Sequence, residues 1–298
     1  MPDLESRENP YNVKQASRIY ILPNLMTAGN LFCGFVAVIR CIQAWIQMKA
    51  PGALPYPSSY AELFTQAVWL VLAAVIFDSL DGRLARLGGR ESLFGAEFDS
   101  LADVVSFGVS PALMVFFLIL SPTQDYPAFR QIGWLIGFIY LLCAAVRLAR
   151  FNVITNPLLY SEKEASRDFV GLPVPAAAGT VASLVLLLLK LGESNRELHR
   201  LALLLPILLL LIAVLMVSTI RYPSFKHVDW QTKTRVRTFV GMIVIVVCVI
   251  LLREVALVAL FLAYIFYGIA RHLRRVQLSS RLRRQRKQAV HNPPTAVQ

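Results

Sequence analysis

Histidine and cysteine are scarce in this chain, with four of each among 298 residues. Cys33, Cys41, Cys143 and Cys248 all fall in apolar stretches, and none forms a C-x-x-C pair. That pattern argues against a zinc site or a disulfide framework and for buried packing thiols. Acids are also few: 18 Asp and Glu stand against 30 Lys and Arg, a net charge of +12. In a soluble protein such an excess would point to nucleic acid. Here the basic run RHLRRVQLSSRLRRQRK follows an apolar segment. It reads as an anchor on anionic lipid, and nucleic acid is not an expected partner. No internal repeat and no long linker is visible, so one membrane domain is expected.

What the chain has in quantity is hydrocarbon. It is 56% hydrophobic with a mean hydropathy of +0.58, more apolar than a soluble domain of this length. Stretches near or above the roughly 20 apolar residues that cross a bilayer recur along it. They predict eight spans, at about 24–47, 62–82, 97–120, 131–152, 172–191, 199–221, 238–252 and 255–273. The fold class expected is an all-α polytopic helical bundle. The N-terminal run MPDLESRENPYNVKQASR is polar and mixed in charge. The apolar stretch after it has no A-x-A-type exit, so it is expected to stay as a transmembrane helix. Pro23 suits a helix start, and residues 8–19 before it are read as a short interfacial helix.

Charge sets the orientation. With the N-terminus inside, 23 of the 30 Lys and Arg fall on inner loops, inner helix ends and the tail. This bias places both termini in the cytoplasm. The expected organisation is a cytoplasmic or interfacial segment at 1–23, a transmembrane catalytic domain at 24–273 and a basic cytoplasmic tail at 274–298.

Four acids break the apolar pattern. Asp78, Asp81, Asp99 and Asp103 lie in DSLDGRLARLGGRESLFGAEFDSLAD, at the cytoplasmic ends of the second and third spans. A carboxylate at the centre of a membrane helix costs about 2.5–3.5 kcal/mol on insertion scales, so four are expected to turn inward around cations. Asp78 and Asp81 are three apart, and Asp99 and Asp103 four apart; each pair shares a helical face. Gly82 and Ala85 lie on the face of Asp78, and Gly95, Ala102 and Ser106 on the face of Asp99 and Asp103. Two such faces across a tight turn would form an oxygen-rich pocket with room for a ligand. Carboxylates without His or Cys suit Mg²⁺ or Mn²⁺. Four can hold two metals about 3.5–4 Å apart, an arrangement used for displacement at phosphorus. Arg83, Arg86 and Arg90 add positive charge; the plainer alternative is that they simply pair with helix-end carboxylates.

The run also reads as Asp81-Gly82, then Ala85-Arg86, Gly95, Asp99 and Asp103, with Asp78 three residues ahead. In that form it resembles the signature of the CDP-alcohol phosphatidyltransferases without departure. The resemblance implies a six-helix core, here with about two extra C-terminal helices, and a site for two divalent cations. It implies that Asp78, Asp81 and Asp99 are metal ligands, and that Asp103 is both a ligand and the general base. It implies that Gly82, Ala85 and Gly95 leave space for the cytidine nucleotide, with Arg86 nearby, and it suggests a homodimer.

Other strings bear on the acceptor. Asn24, Thr27 and Asn30 recur every three residues of ILPNLMTAGNLFCGF. They either contact the nucleotide and its phosphates or make ordinary interhelical hydrogen bonds. Arg147 and Arg150, in AAVRLARFN, share a face by spacing. They either snorkel to headgroups or clamp a lipid phosphate or an acceptor carboxylate, with Asn152 assisting. Pro173 and Pro175 open the fifth span. Together with LMVSTIRYPSFK, these strings resemble the membrane-embedded phosphatidylserine synthases of that family, over most of residues 18–273. That implies CDP-diacylglycerol and L-serine as substrates, phosphatidylserine and CMP as products, and a bacterial inner membrane as the location. Glycerol 3-phosphate or inositol is the alternative acceptor. A cation-coupled transporter is the competing class, but transporters tend to carry broken helices in both halves, near the midplane. This chain has one acidic cluster, at the membrane edge.

Overall fold

Apolar stretches of bilayer length are stable as helices because each helix satisfies its own backbone hydrogen bonds. The computed structural model follows that rule; it describes residues 21–49, 58–87, 93–121, 129, 131–155, 169–194, 203–222 and 253–291. Helix α1 is Ile21–Lys49 and α2 is Ser58–Leu87. Helix α3 is composite, running through α-helical Leu93–Asp103, π-helical Val104–Val109, α-helical Ser110–Val115 and π-helical Phe116–Leu120. Then come α4 (Gly133–Thr155), α5 (Val174–Ser194), α6 (Leu204–Val217) and α7 (Arg253–His291). Six of these helices are long and apolar enough to cross a membrane, with α6 shorter. The all-α polytopic class is what the chain adopts.

The sixth expected span needs trimming. Its helix covers 14 residues, about 21 Å at 1.5 Å per residue, against roughly 30 Å of hydrocarbon. Ser218 turns extended, and Arg221–Tyr222 forms a strand, β2. It pairs antiparallel with β1 (Phe169–Val170), Phe169 opposite Tyr222 and Val170 opposite Arg221. Gly171 follows β1 at φ 83°, where a side chain would strike the Met216 carbonyl. The Gly171 and Leu172 amides donate to the Ile220 and Leu215 carbonyls at 2.8 and 3.0 Å. The proline-rich start of α5 is thus tied to the end of α6. The expected span 238–252 and the interfacial helix 8–19 lie outside the described residues.

Large apolar side chains face outward as well as inward, and small ones line many of the helix contacts. Phe32, Leu101, Phe266 and Val214 are exposed, while Ala37, Ala44, Ala67, Ala74, Ala144 and Ala178 are fully buried. Lipid covers the large side chains as well as protein would. Small residues let the helices approach, which is the main route to association in hydrocarbon. Cys33 and Cys41 are among the buried packing groups.

A close backbone approach joins α1 to α3. A Cβ on Gly34 would lie 2.6 Å from the Ser106 Cα. Ser106 Oγ donates to the Asn30 carbonyl at 2.9 Å, and Ser110 Oγ to the Gly34 carbonyl at 2.8 Å. Gly34→Val is therefore expected to force the two backbones apart. Overpacking of this kind costs about 1–3 kcal/mol. A thermal melt in detergent should show the loss, and activity should fall with it, because Asn30 lies one turn away. An unchanged melting temperature would mean that the contact is dispensable.

The first π-turn has a local cause. Pro111 has no N–H, so it leaves the Phe107 carbonyl four residues back without its helical donor. Tyr140 of α4 fills the vacancy, its hydroxyl donating to that carbonyl at 3.2 Å. The Ser110 amide bonds instead to the Val105 carbonyl five residues back. Such π-turns often mark functional sites, and this one begins directly after Asp103.

Candidate active site

The start of α1, the end of α2, the start of α3 and the end of α4 converge at one end of the bundle. The two aspartate pairs meet there. One carboxylate oxygen from each of Asp78, Asp99 and Asp103 lies within 4.8 Å of the others. Asp81 is buried beside them, and its carboxyl interacts electrostatically with that of Asp99. Asp99 Oδ1 is buried and has no hydrogen-bond partner among the described residues. Carboxylates gathered in low dielectric repel one another and are costly unless a cation compensates. A hard divalent cation fits this all-oxygen donor set, and the cluster can hold one.

Helix α1 supplies the supporting hydrogen bonds. Thr27 Oγ1 donates to Asp81 Oδ2 at 2.9 Å, and Asn30 Nδ2 donates to Asp103 Oδ1 at 2.9 Å. Thr27, Asn30, Asp81 and Asp103 are all buried. For Thr27 and Asn30, interhelical hydrogen bonding is therefore present. The stripe's third member, Asn24, is half-buried, and its Nδ2 finds no partner among the described residues.

Arg147 and Arg150 part company. Spacing alone puts them on one face, but Arg147 is only 8% exposed whereas Arg150 is exposed. The Arg147 guanidinium lies 5.6 Å from the centre of the Phe151 ring. It interacts electrostatically with Asp103, Tyr264 and Asp78. Asn152 Nδ2 donates to Ser100 Oγ at 2.8 Å and reaches Glu97 Oε2 at 3.4 Å. It ties α4 to the outer turn of α3 one residue away from Asp99. Gly82 and Gly95 are half-buried at the facing helix ends. Ala85 and Arg86 continue α2, but their side chains lie outside the described residues.

Several supporting residues escape a reading by motif. Ser100 anchors Asn152, Ser110 clasps α1, and Tyr140 repairs the π-turn. The signals for the last two were present: Ser106 and Ser110 are four apart on one face, and Pro111 breaks the ladder. Tyr264 had no such signal.

The family profile described as CDP-alcohol phosphatidyltransferase matches residues 20–218. The chain is similar to a CDP-diacylglycerol–serine O-phosphatidyltransferase of Helicobacter pylori (strain ATCC 700392 / 26695). The two are 38% identical over 258 residues, which is 86% of this chain and 92% of the relative. It is similar to an archaetidylserine synthase of Methanothermobacter thermautotrophicus, 34% identical over 71% of this chain and 73% of the relative. A CDP-diacylglycerol–serine O-phosphatidyltransferase of Mycobacterium tuberculosis (strain ATCC 25618 / H37Rv) is 35% identical over 60% of this chain and 54% of the relative. The matched stretch spans the two aspartate-bearing helices and the helices that brace them, and the chain belongs to the CDP-alcohol phosphatidyltransferase family.

Proposed function

We propose that this protein transfers the phosphatidyl group of CDP-diacylglycerol to the hydroxyl of L-serine, giving phosphatidylserine and CMP. The observation that carries the reading is the convergence of Asp78, Asp99 and Asp103 within 4.8 Å at one end of a membrane bundle. A lipid-anchored donor and a water-soluble alcohol can meet at that end. The choice of serine is supported by the names of the relatives.

The chemistry is displacement at phosphorus. The serine hydroxyl oxygen bonds to the phosphatidyl phosphorus, and the bond from that phosphorus to the bridging oxygen of CMP breaks. CMP leaves with the electron pair. Asp78, Asp81, Asp99 and Asp103 are the residues assigned to hold two divalent cations, Mg²⁺ or Mn²⁺. When bound, these ions neutralise the diphosphate and the departing phosphate. Asp103 accepts the proton from the serine hydroxyl, held in place by Asn30. Asn24, Thr27, Asn30 and Arg86 are assigned to the nucleotide side, where Gly82, Ala85 and Gly95 leave space for cytidine. Arg147, buried beside Asp103, is assigned the acceptor carboxylate, which a guanidinium grips in two-point fashion. Arg150, exposed, is assigned a lipid phosphate, and Asn152 braces the wall between them.

In this reading both termini and the site face the cytoplasm of a bacterial inner membrane, on the charge bias of the loops. The catalytic domain is 24–273, flanked by the segment 1–23 and the basic tail 274–298, and the working unit is a homodimer. Release of CMP tests the proposal directly. Purified protein with CDP-diacylglycerol is expected to release CMP with L-serine and not with glycerol 3-phosphate or inositol. A chelator should abolish release, and Mg²⁺ or Mn²⁺ should restore it. Release with another alcohol in preference to serine would reject the acceptor, and chelator-resistant release would reject the metal site.

A further inference from the structure

Two tyrosines from outside the family-matched residues 20–218 reach toward the acceptor side of the site. Tyr222 lies on β2 and Tyr264 on α7. Their rings pack 5.8 Å apart, tilted by 33°. Gly268, one turn beyond Tyr264, makes the room, since a Cβ there would strike the Tyr222 ring. Tyr222 is fully buried, and its hydroxyl has no hydrogen-bond partner among the described residues. Burial pushes its phenol up to about 12, so it stays a neutral donor. Tyr264 interacts electrostatically with Arg147 on one side and Tyr222 on the other. Ring packing thus links Tyr222 to Tyr264, and electrostatic interactions link Tyr264 to Arg147 and Arg147 to Asp103.

A buried hydroxyl left without a partner is costly, about 1–3 kcal/mol, so packing alone does not favour a tyrosine at position 222. Arg147 has four side-chain torsions, and the Phe151 ring, 5.6 Å from its guanidinium, supports one side of it. A phenol beside the guanidinium restricts it, and the β1–β2 ladder and α7 fix the phenols in turn. We propose that Tyr264, backed by Tyr222, is a positioning residue that orients Arg147 toward the carboxylate of the acceptor. Acceptor choice would then be set in part by elements added outside the common catalytic core. This inference rests on the assignment of Arg147 to the serine carboxylate, and it adds a part of the chain that no aspartate motif reaches.

Steady-state kinetics on the full-length protein in mixed micelles test it. Tyr264→Phe keeps the ring and removes only the hydroxyl. It is expected to raise the serine KM about 3–10-fold, less than loss of the guanidinium itself, because the phenol acts only through Arg147. The KM for CDP-diacylglycerol, kcat and the melting temperature should stay within about twofold or a degree or two of the parent, because no reacting atom is touched. Tyr222→Phe should act in the same direction and more weakly. In an Arg147→Gln background, Tyr264→Phe should add nothing, which is the signature of coupled residues. The outcomes separate the two ideas. If Arg147→Gln leaves the serine KM unchanged, the carboxylate assignment fails. If Arg147→Gln raises it while Tyr264→Phe does not, the tyrosine inference fails alone. It also fails if the Tyr264→Phe effect persists undiminished without Arg147, or if both substrates' KM values rise together.

Discussion

Asp103→Asn is expected to lower kcat for CMP release by about 10²–10⁴-fold, the usual contribution of a positioned general base. Asn matches Asp in shape, and its amide can turn to keep an oxygen on the Asn30 Nδ2 that Asp103 now engages at 2.9 Å. What disappears is one negative charge from a buried cluster of like charges. The metal-free variant should therefore melt no lower than the parent, and removing that repulsion favours a higher value. Lost activity with retained stability separates a functional acid from a structural one. Metal concentration separates the two duties assigned to Asp103. A residue that were only a ligand would show weaker metal affinity, and excess Mg²⁺ or Mn²⁺ would restore turnover. A base leaves the deficit at saturating metal. Near-normal turnover with intact metal binding would end the base assignment, and the rate would then come from positioning and charge neutralisation.

The site was legible where the spacing of like residues carries the geometry. Helical periodicity alone puts Asp78 with Asp81 and Asp99 with Asp103, and the cost of charge in hydrocarbon turns both pairs inward. The bundle class follows from hydropathy in the same way. The sixth span was overdrawn because hydropathy does not register where a helix stops. Residues 218–222 leave α6 to reach β1, and that pairing depends on Gly171, far away in sequence. The two arginines show a second limit. A spacing of three predicts a shared face, yet the neighbours of α4 bury Arg147 and leave Arg150 exposed. Asn30 shows a third. Its place in a polar stripe is visible from sequence, but its partner, 73 residues away, is not. That pairing rests on Gly34 and Ser106, two small residues whose value lies in the backbone approach they permit.

The unequal burial of the two arginines leads to unequal losses on substitution. Arg147→Gln is expected to raise the serine KM by roughly 10–100-fold, the equivalent of the 1.5–3 kcal/mol that a hydrogen bond to a charged group contributes. Gln retains length and some hydrogen bonding but removes the charge that a carboxylate seeks. It also removes the cation that faces Asp103 and stacks on Phe151 at 5.6 Å, so a smaller fall in kcat is expected alongside. Arg150→Gln, on the exposed side of α4, is expected to leave the serine KM within about threefold, the scale of an exposed charge contact. Its effect should appear in the KM for CDP-diacylglycerol and weaken as salt rises. Arg147→Lys should fall between the parent and Gln, because an ammonium keeps the charge and loses the two-point grip. If Arg147→Gln and Arg150→Gln changed serine KM equally, burial would not be what selects the acceptor residue. If neither changed it, the carboxylate would be held elsewhere, and the case for serine would rest on the relatives alone. A tenfold or greater gap between them would tie acceptor recognition to the one guanidinium enclosed beside the aspartates.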